Sequence, residues 1–162
     1  MNSQLSKLSV RLIFNNLKLF SVESCSGGWI GKAITDIEGS SSWYQGGLIT
    51  YSNESKTKLA NVSEQLIEKH GAVSIEVAEA MALGGHSYFP DGISVAVTGI
   101  AGPGGGTQEK PVGTVCIACQ YKNTVKSRRF QFSGDRQQVR LQTVQQALDL
   151  VLSLNFNLTQ KV

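Results

Sequence analysis

Ser24, Cys25 and Ser26 stand together in Ser21-Val22-Glu23-Ser24-Cys25-Ser26-Gly27-Gly28-Trp29-Ile30-Gly31. An apolar run gives way there to small polar residues, then glycines, then a helical pattern. That order places hydroxyls, a thiol and free backbone N–H groups where a strand ends and a helix begins. A helix N-terminus has unpaired N–H donors and the positive end of the macrodipole, which suit anions, oxyanions and nucleophiles. The segment therefore reads either as a nucleophile turn or as a serine N-cap on an ordinary helix.

Further polar clusters follow predicted strands: Tyr51-Ser52-Asn53-Glu54-Ser55-Lys56, and Thr98-Gly99 with the loop Ile100-Ala101-Gly102-Pro103-Gly104-Gly105-Gly106-Thr107. Glycines let backbone N–H groups approach an anion closely, so this loop resembles a phosphate cradle. It lacks the Gly-Lys-Ser/Thr ending of a nucleoside-triphosphate loop, and no predicted helix follows it. His70 and His86 both fall in helical segments away from these clusters, which disfavours a Ser-His-Asp triad and a histidine metal site. A nucleophilic Ser24 then needs another base. Lys56 is the candidate, provided that desolvation lowers its pKa; the competing reading is a solvated helix-surface lysine. Cys25 is the weaker nucleophile, with no histidine partner in view.

The elements that must position these groups follow from hydrophobic period. Leu5, Leu8, Leu12, Ile13 and Leu17 mark a first helix. Strands are expected over 19–22, 46–51, 93–98, 114–121 and 124–132. Helices are expected over 29–37, from about Glu54, from Ser63, from Ser74, and after Gly134-Asp135. Lys122-Asn123 suggests a β-hairpin turn. Strands first alternate with helices and a hairpin comes late, which predicts an α/β fold, a mixed sheet covered by helices on both faces. If the early strands are parallel, all three clusters meet beyond the carboxyl ends of one sheet.

Composition sets limits. The 162 residues, 41% hydrophobic and 17% charged, fit one globular domain. No apolar run is long enough to cross a bilayer and no signal peptide is read, so a cytoplasmic location is expected. The net charge of +3 is mild. Lys122, Lys126, Arg128, Arg129, Arg136 and Arg140 form a loose basic group with few interleaved aromatics, read as solvated surface rather than a nucleic-acid stripe. Some of these arginines can instead hold a small anionic ligand. Cys116 and Cys119 have redox or zinc spacing but sit in an apolar strand, facing opposite sides, and are read as buried apolar residues.

The strings Glu23-Ser24-Cys25-Ser26-Gly27-Gly28, Gly39-Ser40-Ser41-Ser42-Trp43, Thr50-Tyr51-Ser52-Asn53-Glu54-Ser55-Lys56, Gly71-Ala72-Val73-Ser74, Ala96-Val97-Thr98-Gly99-Ile100-Ala101-Gly102-Pro103-Gly104-Gly105 and Lys110-Pro111-Val112-Gly113-Thr114-Val115 resemble the CinA C-terminal domain family. The resemblance runs from about Gln4 to Leu154 and implies a single domain over residues 4–156, a three-layer α/β/α sandwich, in stand-alone form. Enzymatic members are nicotinamide-nucleotide amidohydrolases (NMN deamidases) of pyridine nucleotide salvage. The implied reaction is deamidation of nicotinamide mononucleotide to nicotinate mononucleotide and ammonia by a Ser/Lys dyad. The alternative is a non-catalytic nucleotide-binding or regulatory module.

Matched by motif, the nucleophile is Ser24, the base Lys56, and Tyr51 belongs to the same catalytic motif. Ser41 and Thr98 match hydroxyl positions lining the site, and Arg136 or Arg140 fills the place of an arginine. Ser26, Gly27, Gly28, Gly99, Gly102, Gly104 and Gly105 complete the expected substrate-binding set, with N–H groups around Cys25 to Gly28 as the oxyanion hole. No metal or cofactor, no nucleic acid and no membrane are implied; a homo-oligomer is. Ser26 stands where the family usually has Thr, which keeps the hydroxyl. Gly84-Gly85-His86 departs from the usual helix-favouring residues and is expected to soften that helix.

Overall fold

The computed structural model describes residues 1–156. Its elements, in chain order, are α1 (Asn2–Phe14), β1 (Leu19–Glu23), α2 (Trp29–Thr35), a 3-10 turn (Ser40–Ser42), β2 (Tyr44–Ile49), α3 (Asn53–Ala60), α4 (Glu64–His70), α5 (Ile75–Tyr88), β3 (Ile93–Gly99), β4 (Thr114–Tyr121), β5 (Thr124–Gln131) and α6 (Arg136–Leu152). The sheet order is β2-β1-β3-β4-β5. β1 is parallel to both β2 and β3, while β3-β4 and β4-β5 are antiparallel. The sheet is thus mixed, and Lys122-Asn123 closes the predicted hairpin between Tyr121 and Thr124.

Period-two alternation sorts the sheet residues between the layers. Val95, Val97, Val115, Ile117 and Cys119 face one core with Leu5, Leu8 and Leu12 of α1, Ile30 and Ile34 of α2, and Val144, Leu148 and Val151 of α6. Val22, Ala96, Cys116 and Ala118 face the other, against Ala60, Ile67, Val77, Ala78 and Met81 from α3, α4 and α5. Cys116 and Cys119 do lie on opposite faces, both buried and free. No helix among the described residues is long and apolar enough to cross a membrane.

Two expectations shift. The strand expected over 46–51 instead spans Tyr44–Ile49, because Thr50 and Tyr51 leave the ladder and turn their carbonyls to the Lys56 ammonium. Gly84 and Gly85 are not soft points in α5. A Cβ on Gly84 would lie 1.9 Å from the Ala60 carbonyl oxygen, and one on Gly85 would lie 2.5 Å from Val22 and 2.4 Å from the Ser94 hydroxyl. The glycines let α5 press its backbone onto the end of α3 and onto the sheet.

This topology fixes where a site can form. The chain leaves β1 for one side of the sheet and leaves β3 for the other, so a crevice opens between their carboxyl ends. Ser24 and the glycine loop begin there.

Candidate active site

The turn after β1 is held by the carboxylate of Glu23, which ends β1 one residue beyond the strand expected over 19–22. Glu23 accepts hydrogen bonds from the backbone N–H groups of Ile30 and Gly31, each at 2.9 Å, and from the Ser26 hydroxyl at 2.6 Å. It thereby does the work of an N-cap from outside the helix. The N-cap position itself is Gly28, at φ 92°, with no capping side chain. A left-handed residue there favours glycine. The serine N-cap reading of the segment is therefore replaced: Ser24 is released from capping.

What Ser24 meets instead is Lys56. The Lys56 Nζ lies 3.0 Å from Ser24 Oγ, 2.9 Å from the Thr50 carbonyl oxygen and 3.4 Å from that of Tyr51. Lys56 is 2% exposed and Ser24 7%, so the lysine is not the solvated surface residue of the competing reading. Helix α3 delivers it, started by Ser52, which accepts from the Ser55 N–H in a reciprocal cap with the Ser55 hydroxyl. Among the described residues no carboxylate lies within ion-pair distance of Lys56.

Burial lowers the Lys56 pKa from its ordinary 10.5. A neutral amine has two N–H bonds and a lone pair. Here the two carbonyls can take the N–H bonds, which leaves the lone pair directed at the Ser24 hydroxyl. Cys25, by contrast, is pushed up from 9.0 to about 12 by burial, so its thiolate does not form near neutral pH.

The dyad opens into a cleft of about 300 Å³ lined by Ser24, Cys25, Tyr51, Lys56, Thr98, Gly99, Gly102, Gly104, Gly105 and Arg136, with Asn53, Ala72, Val73, Ile100 and Ala101 beside them. Thr98 donates to the Ala72 carbonyl at 2.8 Å and so ties the 71–73 loop to the wall. In the glycine loop the N–H groups of Ala101, Gly102, Gly104 and Gly105 have no acceptor among the described residues. Arg136 stands over them, donating to the Gly102 carbonyl at 2.8 Å and to the Tyr51 hydroxyl at 3.0 Å.

Several expected substrate contacts are corrected. Ser26 is fully buried and spends its hydroxyl on Glu23. Gly27 and Gly28 shape the turn behind Ser24 and do not line the cleft. Arg140 faces the back of the turn, donating to the Cys25 and Ser26 carbonyls at 3.2 and 2.7 Å, and packs over the Trp29 ring. Arg136 is therefore the arginine of the cleft. Ser41 lies in the turn before β2, so the whole strand, roughly 20 Å, separates it from the site edge. Of the N–H groups in this turn, that of Cys25 borders the cleft and has no main-chain acceptor among the described residues. Glu23, Asn53 and the 71–73 loop are the groups that sequence reasoning left unassigned. The strings Glu23-Ser24, Ser52-Asn53-Glu54 and Gly71-Ala72-Val73-Ser74 contain them but give them no role.

Residues 2–155 match the model of the CinA C-terminal domain. The nicotinamide-nucleotide amidohydrolase PncC of Pseudomonas putida is 49% identical over 139 residues, covering 86% of this chain and 87% of that protein. A CinA-like protein of Geotalea uraniireducens is 52% identical over 127 residues, 78% of this chain and 30% of the relative. The chain thus spans about a third of the CinA-like relatives that it matches. Among solved structures, a competence-damaged protein (CinA) superfamily protein from Escherichia coli superposes with TM-score 0.88 at 36% identity, over 92% of this chain and 87% of that one. The competence/damage inducible protein CihA from Agrobacterium tumefaciens gives 0.86 at 37% identity, over 93% and 94%.

Proposed function

We propose that this chain, which belongs to the CinA C-terminal domain family, is an amidohydrolase that converts nicotinamide mononucleotide to nicotinate mononucleotide and ammonia. The observation that carries the reading is the 3.0 Å contact between Lys56 Nζ and Ser24 Oγ, both buried and free of carboxylates. The similarity to PncC supplies the substrate.

Ser24 Oγ attacks the carboxamide carbon while neutral Lys56 takes its proton. The Cys25 N–H, beside Ser24 at the cleft wall, receives the tetrahedral oxyanion. Losing one such donor costs about 3 kcal/mol in the barrier. The C–N bond breaks as Lys56 passes the proton to the leaving nitrogen, and ammonia departs. Water then attacks the acyl-Ser24, losing a proton to Lys56, which returns it to Ser24. The free amides of the glycine loop and Arg136 hold the ribose phosphate. The pyridinium charge of the substrate further disfavours a protonated Lys56. The steps call for no metal or cofactor.

Ammonia release from nicotinamide mononucleotide tests the reading. Wild-type turnover is expected to fall by about 10² to 10⁴ in Ser24→Ala and in Lys56→Ala. Turnover that survives both changes sinks the dyad. Ligand binding without any product would make the chain a non-catalytic nucleotide-binding module instead. A homo-oligomer belongs to the same reading, and light scattering on the purified chain tests it.

A further inference from the structure

Both halves of the dyad hang on Glu23. Its carboxylate is 2% exposed and accepts from Ser21 Oγ at 3.2 Å, Ser26 Oγ at 2.6 Å, and the Ile30 and Gly31 N–H groups at 2.9 Å. No cation pairs with it among the described residues. The first-turn N–H groups of α2 and the two hydroxyls satisfy its oxygens. Its own carbonyl accepts from the Thr50 N–H at 2.7 Å, and the Thr50 carbonyl in turn accepts from Lys56. One residue thus fixes the Ser24 turn through its side chain and the Lys56 anchor through its main chain.

We infer that Glu23 is a positioning residue for the reaction: its carboxylate fixes the turn that aims Ser24 at Lys56 and sets the Cys25 N–H beside Ser24 at the cleft wall. This rests on the amidohydrolase reading above. The arrangement separates roles by polarity. Glu23 absorbs the N–H donors on one side of the turn, and Arg140 absorbs the Cys25 and Ser26 carbonyls on the other. Ser24 Oγ is left with Lys56 alone.

Glu23→Gln is the informative change. The amide keeps the shape but turns an NH2 toward one side of the carboxylate site. Each side holds one serine hydroxyl and one backbone N–H. A hydroxyl can rotate to accept, but a backbone N–H cannot. The Ile30 or the Gly31 N–H therefore loses its acceptor and the turn relaxes.

The assay is covalent labelling of Ser24 by an alkyl fluorophosphonate, read by mass spectrometry of the Ser24 peptide. The Ser24 oxygen displaces fluoride and its proton passes to Lys56, so labelling needs the aimed dyad but not the nucleotide. The expected labelling rate in Glu23→Gln is lower by about 10²-fold, the scale of a 1 Å misplacement. In the ammonia assay kcat falls comparably while KM barely moves, because the cleft residues are untouched. Val151→Ala, in the remote α6 core, is the stability control: it lowers the melting temperature and labels at the wild-type rate. Three results overturn the inference: wild-type labelling in Glu23→Gln, an equal loss in Val151→Ala, or a wild type that resists labelling. A wild type that labels at Ser24 yet releases no ammonia removes the substrate reading and leaves the role of Glu23 standing.

Discussion

Gly84→Ala separates a reading by helix propensity from a reading by packing. Propensity alone predicts a more stable protein, since alanine gains about 1 kcal/mol over glycine inside a helix. Packing predicts the opposite. The new Cβ would lie 1.9 Å from the Ala60 carbonyl oxygen, 2.6 Å from its carbon and 3.0 Å from its Cα. These are backbone atoms at the end of α3, with no flexible side chain to swing aside. Overpacking of this kind costs about 3 kcal/mol at the upper end of its range. Subtracting the propensity gain of about 1 leaves about 2 kcal/mol of destabilisation. For a chain of this length that is a loss of roughly 4–8 °C in melting temperature. The consequence reaches the site, because Ala60 lies one turn beyond Lys56 on the same helix. Moving α3 to relieve the clash moves Nζ from Ser24, so kcat drops together with stability. Thermal melts and ammonia release on the two proteins measure both effects. A melting temperature that rises, or one that falls with kcat intact, refutes the argument.

Cys25→Ala is expected to retain turnover, since burial holds the thiol protonated; near-complete inactivation in ammonia release would return the thiol to the mechanism. Arg136→Ala is expected to raise KM for nicotinamide mononucleotide by about tenfold, the worth of one charge-assisted hydrogen bond. It should leave the unphosphorylated nucleoside unaffected, and an equal loss on both ligands would remove Arg136 from the phosphate site. Turnover is expected to rise with pH as Lys56 loses its proton, at a midpoint below the ordinary lysine 10.5. The Lys56 contribution to stability follows the same direction, opposed above pH 9 by the buried Cys25 and Cys119 thiols. Between the lowered folded value and 10.5 the unfolded chain binds the extra proton at Lys56, so this group's contribution strengthens folding as pH rises. Denaturant titrations should show a pH slope more positive in wild type than in Lys56→Met, which keeps the thiols; matching slopes would contradict a neutral buried lysine.

The polar clusters that line this cleft were legible because their signals are local in sequence, while the roles expected of Ser24 and Lys56 came from the family resemblance. Ser24 follows a strand, Lys56 sits in the first turns of a capped helix, and Thr98 precedes a glycine-rich loop, so each is visible within about ten residues. The sandwich followed from the same patterns. What stayed hidden is decided by tertiary pairing. Arg136 and Arg140 are one turn apart on α6 and alike in sequence. Only the seat of that helix over the crevice sends one to Gly102 and Tyr51 and the other to the back of the Ser24 turn. Ser41 matched a site hydroxyl by motif, yet the strand that follows it carries it to the far edge of the sheet. Gly84 looked weak because its reason for being glycine is a carbonyl on another helix.

Glu23 shows the limit most clearly, since a carboxylate ending a strand carries no mark of what it will accept. Yet its effect explains why a nucleophile can stand at this helix start at all. A helix N-terminus rewards any nearby oxygen that caps it, and a free serine hydroxyl would ordinarily be drawn in. With Glu23 already on the Ile30 and Gly31 N–H groups, that pull is satisfied. The Ser24 hydroxyl is then available to the buried Lys56 amine 3.0 Å away.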